Sequence, residues 1–367
     1  MADHCRLDPH SEAILEEYRA QRPVFEKMQE TIPARVRALL DEAGIIVASV
    51  ESRIKEEESL AGKLELKGAK YASLSDITDI FGMRIITFYT DDVDKVASAV
   101  DRLFEVDWEN SVDKRKLLEV DSFGYMSLHY ICRLPADTFS NKDYPRLNEF
   151  RFEIQIRTVL QHAWANMNHD TGYKSGVEVP MEYSRNMNRL AGMLELVDEQ
   201  FSRIRTEIND YRRQVQSLVA SGRLEEVPLD GDSYRRFLQL RPFDPLNRRS
   251  ASVNQAEIQE VTLMPFLAVF KTLGLKTLGD VAGLIKDYGD AAYQIACYQI
   301  GLTDLDILAS SVGPQNLCLA YLLKKGGGRA GIRLMLDTLN GPSESNDMMA
   351  EYILAQADDF SFMHTKD

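Results

Sequence analysis

The segment FRFEIQIRT, residues 150–158, combines strand-like alternation with an uncommon row of polar side chains. As a β-strand it would bury its aromatic and aliphatic residues on one face and present four polar groups on the other, Arg151, Glu153, Gln155 and Arg157. An ordinary half-buried strand with its polar side in water has the same pattern. A carboxylate, an amide and two guanidiniums in line could also hold a metal, a ribose and a phosphate.

A second carboxylate precedes another apolar run, in the motif Asp79-x-x-Gly82-x-Arg84. We expect Asp79 at the end of a helix, Gly82 at a turn and Arg84 at the head of a strand. A buried arginine is costly unless it meets an anion, so Arg84 could pair with Asp79 or Asp76 for purely structural reasons. Two carboxylates on neighbouring strands or strand ends would alternatively suit Mg²⁺, which takes oxygen ligands and keeps substrate phosphates in its shell.

Basic residues lie upstream of these acids. Lys55, Ser59 and Lys63 are spaced by four, so on a helix they share one side, with Arg53 close by. Such a face could bind phosphates, or it could be an ordinary solvated face paired with neighbouring glutamates.

Two further segments could contact a nucleotide. Residues 123–129 (FGYMSLH) follow three cations, Lys114, Arg115 and Lys116. Tyr125 there could stack on a base, with His129 nearby, although a turn with a packed tyrosine has the same signature. Residues 161–174 contain His162 and His169, whose spacing of seven without a cysteine partner disfavours zinc.

The elements that must position these residues are predicted from apolar spacing. Ser11–Leu66 is predicted to be helical, with Pro23 and Pro33 marking helix starts or breaks. Strands are predicted at three segments, Met83–Tyr89, Ser127–Leu134 and Phe150–Arg157, with a helix at Val93–Leu103 between the first two. Alternating strands and helices predict a sheet covered by helices.

From about Glu182 the chain is predicted to return to helix, with one apolar stripe from Leu190 to Ile208 opposite charged residues such as Asp198 and Arg205. The predicted organisation is a sheet-containing domain at 1–220, a linker at 221–232, an all-helical regulatory or interaction domain at 233–345 and a terminal helix or flexible tail at 346–367. The helical domain could mediate homo-oligomerisation or capture a protein partner.

Composition narrows the function classes. The chain has 43 Lys+Arg against 57 Asp+Glu, a net charge of −14, which disfavours a dedicated duplex-DNA binder. No apolar run is long enough to span a membrane, and the polar start is unlike a secretory signal. Four scattered cysteines favour a reducing, cytoplasmic location over a disulfide framework.

Taken together, five motifs in order resemble the synthetase domain of the RelA/SpoT family, the alarmone (p)ppGpp synthetases. They are R-x-K-x-x-x-S-x-x-x-K at Arg53–Lys63, D-x-x-G-x-R at Asp79–Arg84, G-Y-x-S-L-H at Gly124–His129, E-x-Q-I-R-T at Glu153–Thr158 and W-A-x-x-x-H-x-x-x-Y-K at Trp164–Lys174. The resemblance implies an α+β, nucleotidyltransferase-like mixed sheet flanked by helices, followed here by the all-α domain. It also implies transfer of pyrophosphate from ATP to the 3′-hydroxyl of GTP or GDP.

The resemblance further implies roles for individual residues. Asp79 and Glu153 would be the magnesium ligands, with Glu153 assisting the metal or taking the proton from the attacking hydroxyl, and Arg84 would act beside them. ATP would bind at Arg53, Lys55, Ser59, Lys63 and Arg84. The acceptor would bind at Lys114, Arg115, Lys116, Tyr125, His129, Gln155, Arg157, His169 and Lys174.

Departures from the family pattern leave alternatives open. The acceptor segment is closer to the small and toxin-like branch, in which some members make other alarmones and some pyrophosphorylate the 3′ end of tRNA. A catalytically inactive nucleotide-binding module is a third possibility, against which the retained Asp79 and Glu153 argue. No His…His-Asp cluster typical of the family's hydrolase half is present, so we expect no hydrolase activity.

Overall fold

The computed structural model describes residues 7–115, 127–135, 146–172, 181–301, 303 and 305–364, except for the side chains of residues 169–172 and 181–184. The chain divides into two compact units, Met1–Thr206 and Glu207–Asp367. Each unit has its own hydrophobic core.

The first unit combines helices with short strands. Its elements are α1 (Pro9–Glu42), β1 (Val47–Ile54), α2 (Glu57–Lys67), β2 (Phe81–Thr87), α3 (Thr90–Leu103), β3 (Glu105–Val106), β4 (Val112–Asp113), β5 (Leu128–Arg133), β6 (Phe152–Thr158), α4 (Val159–Gly172) and most of α5 (Met181–Ala220). Short 3₁₀ turns lie at Gly68–Lys70 and Leu74–Asp76.

Within the described residues, six strands form one mixed sheet in the order β1-β2-β6-β5-β3, with β4 also pairing with β5. The central pair β2–β6 is parallel, and the other pairs are antiparallel. A mixed sheet flanked by helices and followed by a mainly helical unit confirms the predicted fold class.

The two faces of the central strands differ in chemistry. On β2 and β6 one face carries large apolar side chains with at most 1% exposure, Phe81, Met83, Ile85, Phe152, Ile154 and Ile156, which belong to the core cluster with α1 and α3. The alternate positions Gly82, Arg84, Glu153 and Gln155 are only partly buried. The strand alternation predicted for residues 150–157 therefore separates a core face from a polar face.

The prediction that Ser11–Leu66 is helical throughout is wrong for Val47–Ile54. This segment is the edge strand β1, which pairs with β2 over seven register positions from Val47↔Thr87 to Ile54↔Phe81. Its residues VASVESRI contain three β-branched side chains that fit a pleated, half-buried surface. Pairing with β2 supplies hydrogen bonds that a local helical pattern cannot anticipate.

The two prolines of the opening segment also behave differently from expectation. Pro23 and Pro33 lie inside α1, which begins at Pro9 with Asp8 as its N-cap. A proline within a helix costs about 3 kcal/mol because one backbone hydrogen bond is lost. Burial of the apolar stripe of α1 in the core offsets this cost, since Phe25, Met28 and neighbouring apolar side chains are almost fully enclosed.

Helix α5 packs on the first unit through polar rather than apolar side chains. Asp198 is 2% exposed and accepts a hydrogen bond from Thr158 Oγ1 at 2.5 Å, and Arg205 Nη1 lies 2.5 Å from Asp92 Oδ2. The predicted apolar stripe is instead exposed, with Phe201 at 53%. The predicted amphipathic pattern is therefore present, and it is its polar side that makes these contacts.

The second unit is mainly helical. It contains the end of α5, then α6 (Gly231–Gln239), α7 (Asp244–Ala251), β7 (Glu257–Gln259), α8 (Phe266–Thr272), α9 (Leu278–Gly301), β8 (Ile307–Ala309), α10 (Val312–Lys324), α11 (Gly328–Asn340), α12 (Glu344–Ala355) and α13 (Ser361–His364). The expectation of an all-helical domain is corrected by the short parallel pair β7–β8.

The division between the units falls at 206/207, inside α5, rather than at residue 220. The predicted linker 221–232 is also packed, because Val227 and Leu229 are buried in the second core and Asp230 caps α6. The predicted terminal segment includes α12 and α13, with Ile353 and Phe362 in the same core. None of the described helices is both long and apolar enough to cross a membrane.

Candidate functional site

Two register rows on the polar face of the sheet bring distant residues together. Arg53 on β1 pairs with Gly82 on β2, which pairs with Glu153 on β6. In the next row Arg84 pairs with Gln155, which pairs with His129 on β5. Directly opposed residues project their side chains to the same side of a sheet, so these rows form one polar surface.

Asp79 lies between two lysines at the edge of this surface. Its carboxylate Oδ1 lies 2.7 Å from Lys63 Nζ, and its Oδ2 lies 3.0 Å from Lys55 Nζ. Burial opposes ionisation of Asp79, but these two ion pairs lower its pKa below the ordinary value. Asp79 is therefore a carboxylate at neutral pH.

The local structure around Asp79 corrects two predictions. Asp79 lies in a turn before β2 rather than at a helix end, and Gly82 lies inside β2 rather than at a turn. Lys55 lies between β1 and α2, and Lys63 lies on α2, so the two lysines do not share one helical face as predicted. They meet because both approach the same carboxylate.

Glu153 is held by neighbouring strands. Its Oε1 lies 2.6 Å from His129 Nδ1, and its Oε2 accepts a hydrogen bond from Gln155 Nε2 at 2.9 Å. Burial raises the pKa of Glu153, but the contacts with His129 and the hydrogen bond from Gln155 together lower it, and the net shift is downward. The other ring nitrogen of His129 lies 2.6 Å from the fully buried Ser127 hydroxyl, which orients the imidazole.

Asp79 and Glu153 line the same cavity. The enclosed volume is about 80 Å³, and the lining residues are Glu51, Ser52, Arg53, Asp79, Gly82, Met83, Arg84, Glu153 and Gln155. The negative charge of Asp79 opposes ionisation of Glu153, although the net shift of the Glu153 pKa is downward. The cavity is open to solvent on one side, and its volume is enough for several water-sized groups at about 10–15 Å³ each.

Gly82 leaves open space in this lining. A Cβ atom built at Gly82 would meet no heavy atom within 4 Å, and the backbone of Gly82 is not left-handed. The glycine is therefore not required by backbone conformation. Its missing side chain opens the space between Arg53 and Glu153.

Two carboxylates could hold a cation at this cavity. Each of their four oxygens already has a hydrogen-bond or ion-pair partner, but a carboxylate oxygen has two lone pairs and can accept more than one contact. In the described part of the chain no group of three or more His, Cys, Asp or Glu could form a metal site. Asp79 and Glu153 supply only two carboxylates, so an oxygen-preferring ion such as Mg²⁺ would have to take the rest of its shell from water and substrate phosphate.

Other predicted site residues lie elsewhere or serve structural contacts. Ser59 is exposed on α2 and does not line the cavity. Arg115 forms ion pairs with Asp113 at 2.9 Å and Asp94 at 2.8 Å, which raise its pKa, while Lys114 donates its backbone N–H to Ser127. Arg157 is 2% exposed and does not line the cavity either. Lys116, Tyr125 and Lys174 lie outside the described residues, as does the side chain of His169.

Sequence reasoning missed two residues near the site and named a third, His162, without assigning it a position there. Glu51 and Ser52 line the cavity from β1, which was predicted to be helical, and the β-branched residues of VASVESRI could have revealed the strand. His162 on α4 has a lowered pKa because of its burial and the positive charges of Arg157 and Arg84. A lone histidine on a helix carried no signal that could have placed it beside these arginines.

Comparison with known proteins agrees with this geometry. Residues 52–178 match the family described as a region found in RelA / SpoT proteins, and they include all of the cavity-lining residues except Glu51. This part of the chain is therefore similar to RelA/SpoT proteins. This match confirms the resemblance predicted from the five motifs.

Two curated relatives of the RelA/SpoT region come from Bacillus subtilis. GTP pyrophosphokinase YwaC is 24% identical over 53% of this chain and 94% of the relative. GTP pyrophosphokinase YjbM is 28% identical over 44% of this chain and 73% of the relative. Among solved structures, small alarmone synthetase 2 from the same organism aligns at 25% identity with a TM-score of 0.44, over 52% of this chain and 99% of that one.

Proposed function

We propose that this protein is a magnesium-dependent pyrophosphokinase that transfers pyrophosphate from ATP to the 3′-hydroxyl of GTP or GDP, releasing AMP. The observation that carries the proposal is the meeting of Asp79 and Glu153 at one cavity with Arg53 and Arg84. Both curated relatives are GTP pyrophosphokinases, which supports the broader assignment to this enzyme class.

The cavity has the properties that phosphoryl-type transfer requires. Such transfer depends mainly on positioning an in-line attack and on neutralising developing charge. Arg53 and Arg84 line the cavity, and Lys55 and Lys63 contact one of its acids, so four cations surround the place where a phosphate chain would enter. The four cations face three acids of the lining, Glu51, Asp79 and Glu153, so the placement of the cations counts more for phosphate binding than the net charge of −14.

Asp79 and Glu153 would hold Mg²⁺ through oxygen atoms. When bound, the ion supplies Lewis-acid stabilisation of the phosphate oxygens. Asp79 is kept ionised by its lysines, and Glu153 is kept ionised and oriented by His129 and Gln155. Glu153 would also be able to accept a proton from the attacking hydroxyl.

The proposal is tested with ATP labelled at the β- and γ-phosphates, incubated separately with GDP, GTP, ADP or tRNA in the presence of Mg²⁺. Chromatography of the products should show label on the guanosine nucleotide and release of AMP. Chelation of divalent ions should abolish transfer, and added Mg²⁺ should restore it.

Other product patterns would contradict the proposed acceptor. Label on tRNA alone would identify a toxin-type relative, and label on ADP alone a synthetase of another alarmone. No transfer to any acceptor by correctly folded protein would identify an inactive nucleotide-binding module. The absence of hydrolase activity stays a prediction, which manganese-dependent release of pyrophosphate from ppGpp would contradict.

A further inference from the structure

The second unit contains an arginine-rich groove between the end of α5 and α6. The groove encloses about 550 Å³, and its lining residues are Asn209, Arg212, Arg213, Val215, Gln216, Asp232, Arg235, Arg236 and Gln239. Four arginines and one aspartate line it, in a chain whose net charge is −14, and one of the four, Arg213, also lies 3.1 Å from Asp210. The positive excess is therefore a local feature of this groove.

One carboxylate brings two of these guanidiniums together. Arg212 Nε and Nη2 lie 3.1 and 3.4 Å from the Asp232 carboxylate oxygens, and Arg235 Nη1 lies 4.0 Å from the same carboxylate. The Arg212 and Arg235 side chains are 55% and 67% exposed, so both remain accessible to a ligand. A single negative charge cannot neutralise two guanidiniums, and the guanidinium fork matches phosphate oxygens bidentately.

We propose that this groove binds the phosphate chain of a small polyphosphorylated anion, either a nucleoside polyphosphate or an inorganic polyphosphate. Its volume lies in the range of small-molecule sites, roughly 300–1,000 Å³. Among the described residues that line it, none is aromatic and Val215 is the one apolar side chain. The lining therefore favours contacts to phosphate over stacking on a base.

The extent of the groove favours a small ligand over a nucleic acid. The lining residues come from two short stretches, residues 209–216 and 232–239. Eight helical residues span about 12 Å at 1.5 Å each. The phosphates of one strand of duplex DNA rise by about 3.4 Å along the helix axis, so at most three or four could contact the groove. A short phosphate chain can place all of its charge there.

The test is calorimetric titration of the full-length protein with inorganic tripolyphosphate, comparing wild type with the double variant Arg212→Gln/Arg235→Gln. We expect the variant to lose affinity by about tenfold or more, since a hydrogen bond to a charged group contributes about that factor. Arg248→Gln is the matched control, because Arg248 is 74% exposed and ion-paired in the same unit but does not line the groove.

Two further comparisons separate this site from the cavity of the first unit. Lys63→Ala alters only the cavity of the first unit. When it is added to both wild type and the groove variant, the difference between their affinities for tripolyphosphate should stay the same. The experiment measures no turnover, so its result does not depend on the proposed reaction. Circular dichroism and thermal unfolding verify that the variants fold, as expected for exposed arginines.

The same titrations are then made with ATP and GTP, and their affinities for the groove are compared with that of tripolyphosphate. Affinity for the nucleotides at least tenfold above that for tripolyphosphate would identify a nucleoside polyphosphate, and equal affinity an inorganic chain. Equal tripolyphosphate affinity in wild type and the double variant would overturn the proposal. It would also be overturned if an RNA oligonucleotide bound more tightly than tripolyphosphate and lost that binding in the same variant.

Discussion

Asp79 and Glu153 are held by different kinds of partner, although both line one cavity. Asp79 is neutralised by two lysine ammonium groups, whereas Glu153 is hydrogen-bonded to a histidine and an amide. Replacing Asp79 therefore leaves two partly buried cations without their carboxylate, and replacing Glu153 releases His129. The two replacements should therefore change the free energy of unfolding by different amounts, even if both acids are essential for catalysis.

We expect Asp79→Asn and Glu153→Gln each to reduce the rate of pyrophosphate transfer by at least about 10²-fold, because each removes a carboxylate that would hold the ion stabilising the transition state. Steady-state kinetics with ATP and the identified acceptor measure the effect, and circular dichroism verifies folding. Asp94→Asn is a suitable control, since Asp94 is 71% exposed and lies outside the cavity. Near-normal rates in either cavity variant would refute the assigned role.

Gly82 offers a more selective test of the cavity. Gly82→Ala should fold normally, because the backbone is not left-handed, yet its methyl group would project into the space between Arg53 and Glu153. We expect kcat/KM for ATP to fall by about tenfold or more, since a displacement of about 1 Å at a reacting centre can cost 10²-fold.

The matched control for Gly82→Ala is Gly62→Ala, at an exposed helical position that also has open space for a Cβ atom. This control should retain activity. If Gly82→Ala were as active as Gly62→Ala, the cavity between Arg53 and Glu153 would not be the ATP-phosphate site.

At the scale of elements, Asp230 caps the N-terminus of helix α6, which also lines the arginine groove. Asp230 is its N-cap and accepts backbone hydrogen bonds from Asp232 and Ser233, each at 2.9 Å. The Ser233 hydroxyl accepts from the Asp230 backbone N–H at 2.9 Å, completing a reciprocal cap, and the Tyr211 hydroxyl donates to the Asp230 carboxylate. Burial opposes ionisation of Asp230, but these hydrogen bonds lower its pKa.

We expect Asp230→Ala to lower the free energy of unfolding by about 1–2 kcal/mol at pH 7. Because the folded-state pKa is lowered, the contribution of Asp230 is present above its unfolded pKa of about 3.9 and is lost as the pH falls through the lower folded value. Urea unfolding at pH 7 and pH 3 measures this. The free energy of unfolding of Asp230→Ala should be closer to that of wild type at pH 3 than at pH 7.

Asp290→Ala serves as the control for the capping effect, because Asp290 is 85% exposed in a surface ion pair and should contribute at most about 1 kcal/mol. If the free energies of unfolding of Asp230→Ala and wild type differed by the same amount at pH 7 and pH 3, the cap of Asp230 would not depend on its ionisation.

At the scale of the whole molecule, the end of α5 belongs to the second core. Val215, Leu218 and Val219 are at most 8% exposed and pack in the cluster with Val227 and Phe270. A boundary placed at residue 220, where the helical pattern ends, would separate these side chains from the core that they complete.

We therefore expect a fragment of residues 207–367 to be more stable than a fragment of residues 221–367 by about 5 kcal/mol, since burial of each of the three apolar side chains contributes about 1.5–3 kcal/mol. Chemical unfolding of both purified fragments measures the difference. Equal stability would show that the end of α5 is dispensable to the second core and would support the boundary expected from sequence.

Sequence motifs identified Asp79, Glu153, Arg53 and Arg84 before their geometry was known. The structure places these four residues at one cavity, while their roles in phosphate binding stay predictions. The same reasoning missed Glu51, because the helical periodicity of α1 was extended into β1. Whether the segment Val47–Ile54 forms a helix or a strand depends on its pairing with β2, which lies more than twenty residues further along the chain.

By itself, the sequence determined the alternation of the central strands, the amphipathic pattern of α5 and the motifs of the RelA/SpoT region. Only the tertiary structure decided that Arg53, Gly82 and Glu153 lie in one row, that the polar side of α5 packs on the first unit, and that four arginines share a groove. Local patterns set the face on which a side chain lies, whereas strand register and helix packing set which faces meet. Those choices depend on the free energy of contacts between residues far apart in the chain.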